Sequence, residues 1–334
     1  MKNIYLDSNE NLYNPYNCLK NEFINEFLNI NFSKYPDNIY NDLREGYAKY
    51  VGLETYNIMS GNGSDEMLNL IISTYIGKGD ILLTFAPDFS MYDYYVNQNE
   101  GVIKKYAVNP EKFIVEDFIT FIEEVNPKIV MFSNPNNPTG MGIAAKEIEK
   151  ILIRFKDIKI VVDEAYYEFF KESVIDKINV YKNLIVTRTL SKAFGLASLR
   201  VGFLISNIDE IKKLLDVKVP YNVNSISQVL ATRALKDTSL MQNSVEKIIK
   251  LRGELFIELE KINIDGIKFV KSRANYIYAY GESALKIEKI LNKVGIIMRK
   301  FDDTRIRITI GTDKHNELIL NVLRSEFKDE KSTD

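Results

Sequence analysis

The feature that most constrains the fold is the alternation, through the middle of the chain, of short apolar runs with amphipathic stretches. The apolar runs, each rich in Val, Ile or Leu, lie at 80–86, 128–133, 156–163, 183–187 and 201–206. Helical spacing places apolar side chains on one face of 65–76 and on one face of 144–155. Continuously apolar strands that alternate with helices are typical of a parallel sheet covered on both faces. We therefore predict an α/β fold with a mostly parallel sheet.

After Pro220 the pattern changes to a mixture of helices and strands with a more antiparallel character. The predicted elements are, in order, a long helix at 239–262, strands at 267–270 and 275–280, a helix ending near 294, a strand at 305–310 and a C-terminal helix. No linker rich in Gly, Ser or Pro separates the two parts, so the boundary is placed inside a helix near 225–235. We predict a large domain over 35–230 and a small α+β domain formed by 1–34 and 231–334.

The counts of charged residues, cysteine and histidine exclude several classes of protein. Lys and Arg number 44 against 46 Asp and Glu, a net charge of −2, so no nucleic-acid partner is predicted. Cys18 and His315 are each the single residue of their type, which excludes an intramolecular disulfide and a thiolate metal site. No metal is predicted, and a Ser-His-Asp triad would have to use His315. The chemistry is expected to come from a cofactor or from lysine and carboxylates.

The apolar runs and the N-terminal segment bear on membrane association and location. No run approaches the roughly 20 apolar residues needed to span a bilayer. Residues 1–14 alternate polar and apolar side chains and lack the apolar core of a signal peptide. We therefore predict a cytoplasmic protein without a membrane partner.

A lysine flanked by hydroxyl groups follows the predicted strand 183–187. Thr189, Ser191 and Lys192 lie just past its end, and Arg200 precedes the next strand. Hydroxyl groups and a guanidinium can hold a phosphate while an amine attacks a carbonyl carbon, so these residues can bind a phosphorylated aldehyde. By itself, the segment is more typical of a polar loop with a solvated lysine.

A carboxylate ends the apolar run 156–163, at the edge of the sheet where α/β proteins bind ligands. Asp163 can accept a hydrogen bond from a pyridinium N–H, and Tyr166 can reach the phenolic oxygen of the same ring. Capping of a following helix by Asp163 is the simpler alternative.

Two further loops combine glycine with polar side chains at the ends of predicted elements. Residues 133–140 (SNPNNPTG) form a defined turn that is either purely structural or directs Asn137 at a ligand oxygen. Residues 60–66 (SGNGSDE) open a helix, where backbone amides of Ser64 and Asp65 can bind an anion. Ordinary capping by Ser64 or Asp65 explains this loop equally well. The loop lacks the third glycine of a dinucleotide fingerprint.

Taken in order, these segments resemble a known family of enzymes. The matching stretches are LDSNEN (6–11), KYPD (34–37), GNGSDE (61–66), PDFSMY (87–92), NPNNPTG (134–140), VVDEAYYEF (161–169), TLSKAFGLASLRVGF (189–203), PYNVN (220–224), RANYI (273–277) and RIRITIGT (305–312). They resemble fold-type-I pyridoxal-5′-phosphate (PLP) enzymes of the class I and II aminotransferases, most closely the histidinol-phosphate aminotransferase family. The resemblance implies PLP as cofactor and a mostly parallel seven-stranded sheet between helices in the large domain.

The resemblance also implies roles for individual residues. Lys192 would hold PLP as a Schiff base and act as general base and acid. The other cofactor-binding residues would be Asp163 at the pyridinium, Asn137 and Tyr166 at the phenolic oxygen, Phe89 on the ring face, and Gly63, Ser64, Asp65, Thr189, Ser191 and Arg200 at the phosphate. Tyr35 from the neighbouring subunit would reach the phosphate, so a homodimer is implied.

Substrate binding is implied for Arg299 and Arg307, and also for Tyr221 and Asn222. A guanidinium binds phosphate and carboxylate bidentately, which suits a phosphorylated amino donor and 2-oxoglutarate. A surface salt bridge is the alternative for either arginine. The implied reaction moves the amino group of L-histidinol phosphate to 2-oxoglutarate.

Other activities remain open from the sequence. Decarboxylation of a phosphorylated amino acid such as threonine phosphate uses the same fold, and the sequence does not fix which Cα bond is cleaved. The stretch LDSNEN resembles the aminotransferase branch more than the decarboxylase branch. An aromatic or other amino donor is a further variant. A non-catalytic sensing or scaffold protein is disfavoured because Lys192 is intact and no basic DNA-binding segment is present.

Overall fold

Strands and helices alternate along residues 3–328, the part of the chain that the computed structural model describes. The strands are β1 Ile4–Leu6, β2 Ile58–Asn62, β3 Ile81–Ala86, β4 Val102–Ala107, β5 Ile129–Ser133, β6 Lys159–Asp163, β7 Leu184–Thr189, β8 Val201–Ser206, β9 Lys268–Val270, β10 Tyr276–Tyr280, β11 Ile296–Asp302 and β12 Arg305–Thr309. The α-helices are α1 Lys20–Leu28, α2 Asn41–Val51, α3 Gly63–Tyr75, α4 Met91–Gln98, α5 Val115–Val125, α6 Ala145–Arg154, α7 Ile208–Leu215, α8 Ser225–Leu235, α9 Ser239–Ile262, α10 Ala284–Lys293 and α11 Asp313–Lys328. Within residues 3–328, none of these helices combines the length and apolar character needed to cross a membrane.

The larger sheet has seven strands in the order β2-β8-β7-β6-β5-β3-β4. Strands β3 to β7 run parallel, whereas β8 is antiparallel to both of its neighbours, β7 and β2. Every residue of β5, β7 and β8 is buried, as expected for strands covered on both faces. The prediction of a mostly parallel seven-stranded sheet is confirmed.

Side chains of β6 pack alternately into two separate hydrophobic cores. Ile160 and Val162 join a cluster that includes Ile148 of α6. Val161 joins a second cluster that includes Ile71 of α3. Because successive side chains of a strand point to opposite faces, the two clusters lie on the two faces of the sheet. Burial of each such side chain contributes roughly 1.5–3 kcal/mol, so this layered packing holds the strand ends at a common edge.

The smaller sheet combines the beginning of the chain with its C-terminal part, in the order β1-β11-β12-β10-β9. Strand β1 is parallel to β11, with Ile4 opposite Ile296, and the other neighbouring strands are antiparallel. The strands predicted at 267–270, 275–280 and 305–310 correspond to β9, β10 and β12. The division into a large and a small domain stays a prediction.

Strands β1, β2, β4 and β11 were not predicted from the sequence, because no long apolar run marks them. Strand β4 lies at the edge of the larger sheet and carries Lys104 and Lys105 with little burial. Strand β11 carries Arg299 and Lys300, and its C-terminal half is exposed. Apolar runs identify strands that are buried on both faces, so edge strands and strands that face a polar cavity are missed.

Candidate active site

A cavity of about 710 Å³ lies where the carboxyl ends of the parallel strands meet the smaller sheet. The last residues of β3, β5, β6 and β7 line it, namely Ala86, Ser133, Asp163 and Thr189. Most of the predicted site residues also line it, namely Ser64, Asp65, Phe89, Asn137, Asp163, Tyr166, Thr189, Ser191, Lys192, Arg200, Arg299 and Arg307. The fold therefore brings together side chains that are far apart along the chain.

Asp163 presents a buried carboxylate at the end of β6. Its Oδ2 accepts a hydrogen bond from the Tyr92 hydroxyl at 2.9 Å, and its Oδ1 accepts one from Thr187 Oγ1 at 3.0 Å. Burial raises the pKa of the Asp163 carboxyl to about 6, and the two hydroxyl donors oppose that rise. A buried carboxylate held by neutral donors is stabilised by a cationic partner, and the N–H of a protonated pyridine ring would supply one.

The Arg200 side chain lies beside the start of α3, where several hydrogen-bond donors are grouped. We call this group, formed by Ser64, Asp65, Thr189, Ser191 and Arg200, the anion-binding region. The Arg200 guanidinium donates to Asp65 Oδ2 at 3.0 Å and to Ser191 Oγ at 3.4 Å. Thr189 Oγ1 donates to Ser191 Oγ at 3.0 Å. Ser64 and Asp65 occupy the first turn of α3, where backbone N–H groups have no partner within the helix. Hydroxyls, a guanidinium and free backbone N–H groups are a suitable donor set for a phosphate.

Gly63 and Gly202 allow the start of α3 to pack closely against its surroundings. Gly63 has a φ of +77°, and a Cβ at this position would lie 2.7 Å from Arg200 Nη2. A Cβ on Gly202 would lie 2.2 Å from the backbone N of Ser64, which is shorter than real Cβ contacts. Both positions therefore require glycine, and both adjoin the anion-binding region.

Lys192 follows β7 and extends its amine into the cavity. Its Nζ donates a hydrogen bond to the backbone carbonyl oxygen of Ser8 at 2.8 Å. This partner is neutral, and no carboxylate within residues 3–328 forms a salt bridge with Lys192. Loss of the amine proton therefore breaks no ion pair in the described structure, which suits a lysine that attacks an aldehyde carbon.

Asn137 and Tyr166 present hydrogen-bond donors to the cavity. The backbone N of Asn137 donates to Ser133 Oγ at 2.8 Å, and Asn137 Oδ1 accepts from Arg307 Nη1 at 2.5 Å. The Tyr166 hydroxyl oxygen accepts from Asn9 Nδ2 at 2.9 Å. These contacts leave the Asn137 Nδ2 protons and the Tyr166 hydroxyl proton for an acceptor in the cavity. A phenolic ring oxygen is such an acceptor.

Arg299 and Arg307 lie opposite each other on β11 and β12. Arg307 is 7% exposed, burial lowers its pKa, and its Nη2 donates to the backbone oxygen of Asp7 at 2.5 Å. Its buried Nε has no partner among the described residues. The guanidinium therefore keeps a donor that an anionic ligand can satisfy.

Comparison with known proteins identifies the family. The model of the family described as aminotransferase class I and II matches residues 2–323. The chain belongs to this family. A histidinol-phosphate aminotransferase from Clostridium novyi (strain NT) is 39% identical over 333 residues, a match that covers 98% of this chain and 93% of the relative.

Solved structures of similar proteins have the same fold as this class I and II aminotransferase. The crystal structure of the histidinol-phosphate aminotransferase from Clostridium acetobutylicum has a TM-score of 0.86 at 26% identity and covers 98% of this chain and 99% of that chain. The enzyme of the same name from Sinorhizobium meliloti, in complex with pyridoxal-5′-phosphate, has a TM-score of 0.86 at 20% identity and covers 98% and 91%. The predicted fold class, PLP-dependent transferase fold type I, is confirmed.

Four residues predicted for the aminotransferase site do not line the cavity, namely Gly63, Tyr35, Tyr221 and Asn222. Tyr35 is 82% exposed, and its ring stacks on that of Tyr221 with centroids 4.9 Å apart. Asn222 Nδ2 donates to Glu66 Oε2 at 2.7 Å, so this side chain is engaged with α3. Tyr35 was expected to act on a neighbouring subunit, and its exposure is compatible with that expectation. The individual roles of the site residues stay predictions.

The lining of the aminotransferase cavity also includes Asp88, a carboxylate that was not predicted from the sequence as a site residue. Asp88 follows β3, and its side chain accepts hydrogen bonds from Ser133 Oγ and, at 2.8 Å, from the backbone N of Phe89. Burial, with a smaller contribution from the charge of Asp163, raises the pKa of the Asp88 carboxyl to about 8. A polar residue after the carboxyl end of a strand was the signal for Asp163, and the same signal could have identified Asp88. Asn9, which contacts Tyr166, had no such signal.

Proposed function

We propose that this aminotransferase uses PLP to transfer the amino group of L-histidinol phosphate to 2-oxoglutarate. The observation that carries the proposal is the convergence of Lys192, Asp163 and the anion-binding region around Arg200 on one cavity. The donor is supported by the relative from Clostridium novyi, which is named histidinol-phosphate aminotransferase and is 39% identical over 98% of this chain.

The residues of the cavity fit the chemical groups of PLP. When bound, PLP supplies an aldehyde carbon and a protonated pyridine ring that withdraws electrons from the substrate Cα. Asp163 would accept the pyridine N–H, and Asn137 and Tyr166 would donate to the phenolic oxygen. The phosphate would be held by the backbone N–H groups of Ser64 and Asp65 together with Thr189, Ser191 and Arg200. Phe89 lines the same cavity and offers an aromatic ring for stacking.

Lys192 is proposed to move the proton that the donor loses from its Cα. The Nζ atom is held by the carbonyl oxygen of Ser8 at 2.8 Å, a contact that survives deprotonation of the amine. A positioned base or acid of this kind typically contributes about 10²–10⁴-fold to a rate. The amine has no salt bridge among the described residues, so no ion pair has to break when it acts as a base or an acid.

Arg307 and Arg299 are proposed to bind the anionic groups of the two substrates in turn. Lys105, Lys300 and Arg305 also line the cavity, but each pairs with an aspartate at 2.5 to 2.7 Å. No salt bridge to a carboxylate is found for Arg299 or Arg307 within residues 3–328. Apart from Lys192, these two guanidinium groups are therefore the cavity-lining cations within residues 3–328 that have no ion pair, and they are available for a phosphate or a carboxylate.

A homodimer is proposed in which Tyr35 completes the cavity of the neighbouring subunit. Large apolar side chains around this part of the chain are exposed, with Leu28 at 72%, Phe32 at 68%, Tyr35 at 82% and Val219 at 67%. Such an apolar surface is typical of an interface. Sedimentation equilibrium would give the mass, and Tyr35→Ala should weaken PLP binding without changing the fold.

The two sheets are further proposed to mark two domains, a large one over 35–230 and a small one formed by 1–34 and 231–334. Each sheet has its own covering helices, with α10 packed on β11 and α3 packed on β8. A cytoplasmic location, which was expected from the sequence, is also proposed.

A single-turnover experiment tests the proposed reaction. Protein reconstituted with PLP is mixed with L-histidinol phosphate in the absence of a keto acid, and the visible absorption band is followed. Stoichiometric loss of the band, with recovery and release of glutamate when 2-oxoglutarate is added, is the expected result. Lys192→Ala should show no lysine-bound band, whereas the matched surface variant Lys182→Ala should behave as wild type, since Lys182 is highly exposed.

The same experiment separates the open alternatives. A band that persists with L-histidinol phosphate excludes this donor, and aromatic amino acids are then tried under the same conditions. Release of carbon dioxide from O-phosphothreonine would identify a decarboxylase instead. If wild-type protein forms no visible band with PLP, the proposal for Lys192 is wrong.

A further inference from the structure

Asn9 lies in the loop after β1, and every polar group of this residue is satisfied. Its side chain is 1% exposed and its φ is +56°. Nδ2 donates to the Tyr166 hydroxyl at 2.9 Å, and Oδ1 accepts from Thr309 Oγ1 at 3.0 Å. The backbone N donates to the same Thr309 Oγ1 at 3.1 Å, and the backbone O accepts from Asn275 Nδ2 at 3.0 Å. Asn9 thereby joins the smaller sheet to Tyr166 in the segment that follows β6.

The direction of the Asn9–Tyr166 hydrogen bond determines what the tyrosine can do. Because the Thr309 hydroxyl donates to Oδ1, the amide nitrogen of Asn9 faces Tyr166. The Tyr166 oxygen then accepts this bond, and its single proton is left for an acceptor in the cavity. Polarisation along the chain of hydrogen bonds also makes the tyrosine hydroxyl a better donor.

We propose that Asn9 is a positioning residue for Tyr166. It holds the Tyr166 oxygen as an acceptor, so that the hydroxyl proton is donated to the phenolic oxygen of the cofactor. This inference rests on the proposed function, because it takes the cofactor contact of Tyr166 from there. Asn9 acts through Tyr166 and has no step of the reaction of its own.

Asparagine is suited to this position for two independent reasons. A φ of +56° lies in the left-handed region, which glycine, asparagine and aspartate tolerate better than other residues. Of these three, only asparagine offers a donor to Tyr166 together with an acceptor for Thr309. Aspartate would reverse the bond, because a carboxylate only accepts and would draw the Tyr166 proton away from the cavity.

Other ionisable groups around Tyr166 must stay constant in any test. Arg307 of β12, Tyr276 of β10 and Tyr92 of α4 interact electrostatically with Tyr166. The variant Asn9→Gly tolerates the positive φ, adds no charge and leaves these groups in place. It therefore isolates the loss of the hydrogen bond, whereas Asn9→Asp tests the reversal of its direction.

The quantity measured is the midpoint of a pH titration, which is the pH at which the visible absorption band of the PLP-reconstituted enzyme has undergone half of its total change. A donor to the phenolic oxygen stabilises its negative charge and lowers this midpoint, so Tyr166→Phe should raise it. We expect Asn9→Gly to raise the midpoint by about one pH unit, and Asn9→Asp by at least as much. The double variant Asn9→Gly/Tyr166→Phe should shift no further than Tyr166→Phe alone, because both changes remove the same interaction.

Asn275→Ala is the matched control, since it removes a hydrogen bond to the Asn9 backbone oxygen but leaves the bonds of the Asn9 side chain to Thr309 and Tyr166 in place. It should lower the melting temperature and leave the midpoint unchanged. A wild-type midpoint in Asn9→Gly, or an equal shift in Asn275→Ala, overturns the proposal. If Asn9→Gly does not fold, the midpoint of Asn9→Asp decides. These outcomes can be distinguished from a failure of the proposed function. In that case the wild-type protein itself would show no visible absorption band that changes with pH.

Discussion

Arg307 Nη1 donates a hydrogen bond of 2.5 Å to Oδ1 of Asn137. This bond joins β12 of the smaller sheet to the loop after β5 of the larger sheet. The Asn137 backbone is fixed at the same time by its bond to Ser133 Oγ at 2.8 Å. An anion that binds Arg307 will therefore polarise Asn137, whose Nδ2 protons face the cavity. This one contact would therefore link the proposed binding of substrate by Arg307 to the proposed hold of Asn137 on the ring.

Arg307→Lys should weaken the binding of both substrates while keeping the charge. Lysine is a single point donor and cannot reproduce the two Nη contacts, to Asn137 and to the backbone of Asp7. Loss of charged hydrogen bonds costs about 1.5–3 kcal/mol each, so KM for donor and acceptor should rise about 10- to 100-fold. Steady-state kinetics with each substrate measure this. The surface variant Arg154→Lys is the control, and an unchanged KM for both substrates would contradict the role of Arg307.

Gly202→Ala should weaken PLP binding by about tenfold or more, because the new Cβ would lie 2.2 Å from the Ser64 backbone N. The start of α3 must move to relieve this contact, and its N–H groups then no longer converge on the phosphate. Fluorescence titration of the PLP-free protein with PLP measures the affinity. Gly253→Ala in α9 is the matched control, since a Cβ there meets nothing within 4 Å. It should raise helix stability by roughly 0.5–1 kcal/mol and leave PLP affinity unchanged.

Arg188→Met should destabilise the protein by about 3–5 kcal/mol, because it leaves the Glu164 carboxylate buried without its cation. Arg188 Nη2 lies 2.7 Å from Glu164 Oε2, and both side chains are almost fully buried. Urea unfolding of the PLP-free protein measures the free energy of unfolding. The double variant Arg188→Met/Glu164→Gln should recover part of the loss. Equal stability of the single and double variants would show that the buried charge is not the cause.

The stability of the PLP-free protein should fall as pH rises from about 4 to about 8. Burial raises the pKa of the Asp88 carboxyl to about 8 and that of Asp163 to about 6. In this window the folded state retains protons that the unfolded state has lost, so the contribution is complete below pH 4 and lost above pH 8. Asp88, the more strongly shifted group, should contribute the larger part of this decline.

Urea unfolding at a series of pH values tests this dependence. Asp88→Asn cannot ionise, so its stability should change less than that of wild type between pH 7 and pH 8. Burial raises the pKa of the Glu168 carboxyl to about 7, so below pH 7 the titration of Glu168 contributes to the pH dependence of stability in both proteins. A wild-type stability that rises between pH 7 and pH 8 would contradict the expected protonation of Asp88.

The sequence by itself determined the parts of this protein that depend on local pattern. Buried strands such as β5 and β6 are marked by runs of their own apolar residues, because burial on both faces favours apolar side chains along most of the strand. Asp163 and Lys192 were candidates for a common site because parallel strands bring their carboxyl ends to one edge of the sheet. The cofactor and the roles of these two residues were implied by the resemblance of the sequence motifs to the family.

Only the tertiary structure decided which side chains hold these residues in place. Asn9 and Tyr166 are 157 positions apart in the chain, and Arg307 and Asn137 are 170 apart. Whether a polar side chain donates to a distant partner depends on positions within a few tenths of an ångström, which the packing of the two sheets sets. The hydrogen bond between Ser133 and Asp88 likewise became apparent only from the tertiary structure, as did the exposed strands β4 and β11. A hydrogen bond has strict geometry but no periodicity, so it leaves no pattern in the sequence.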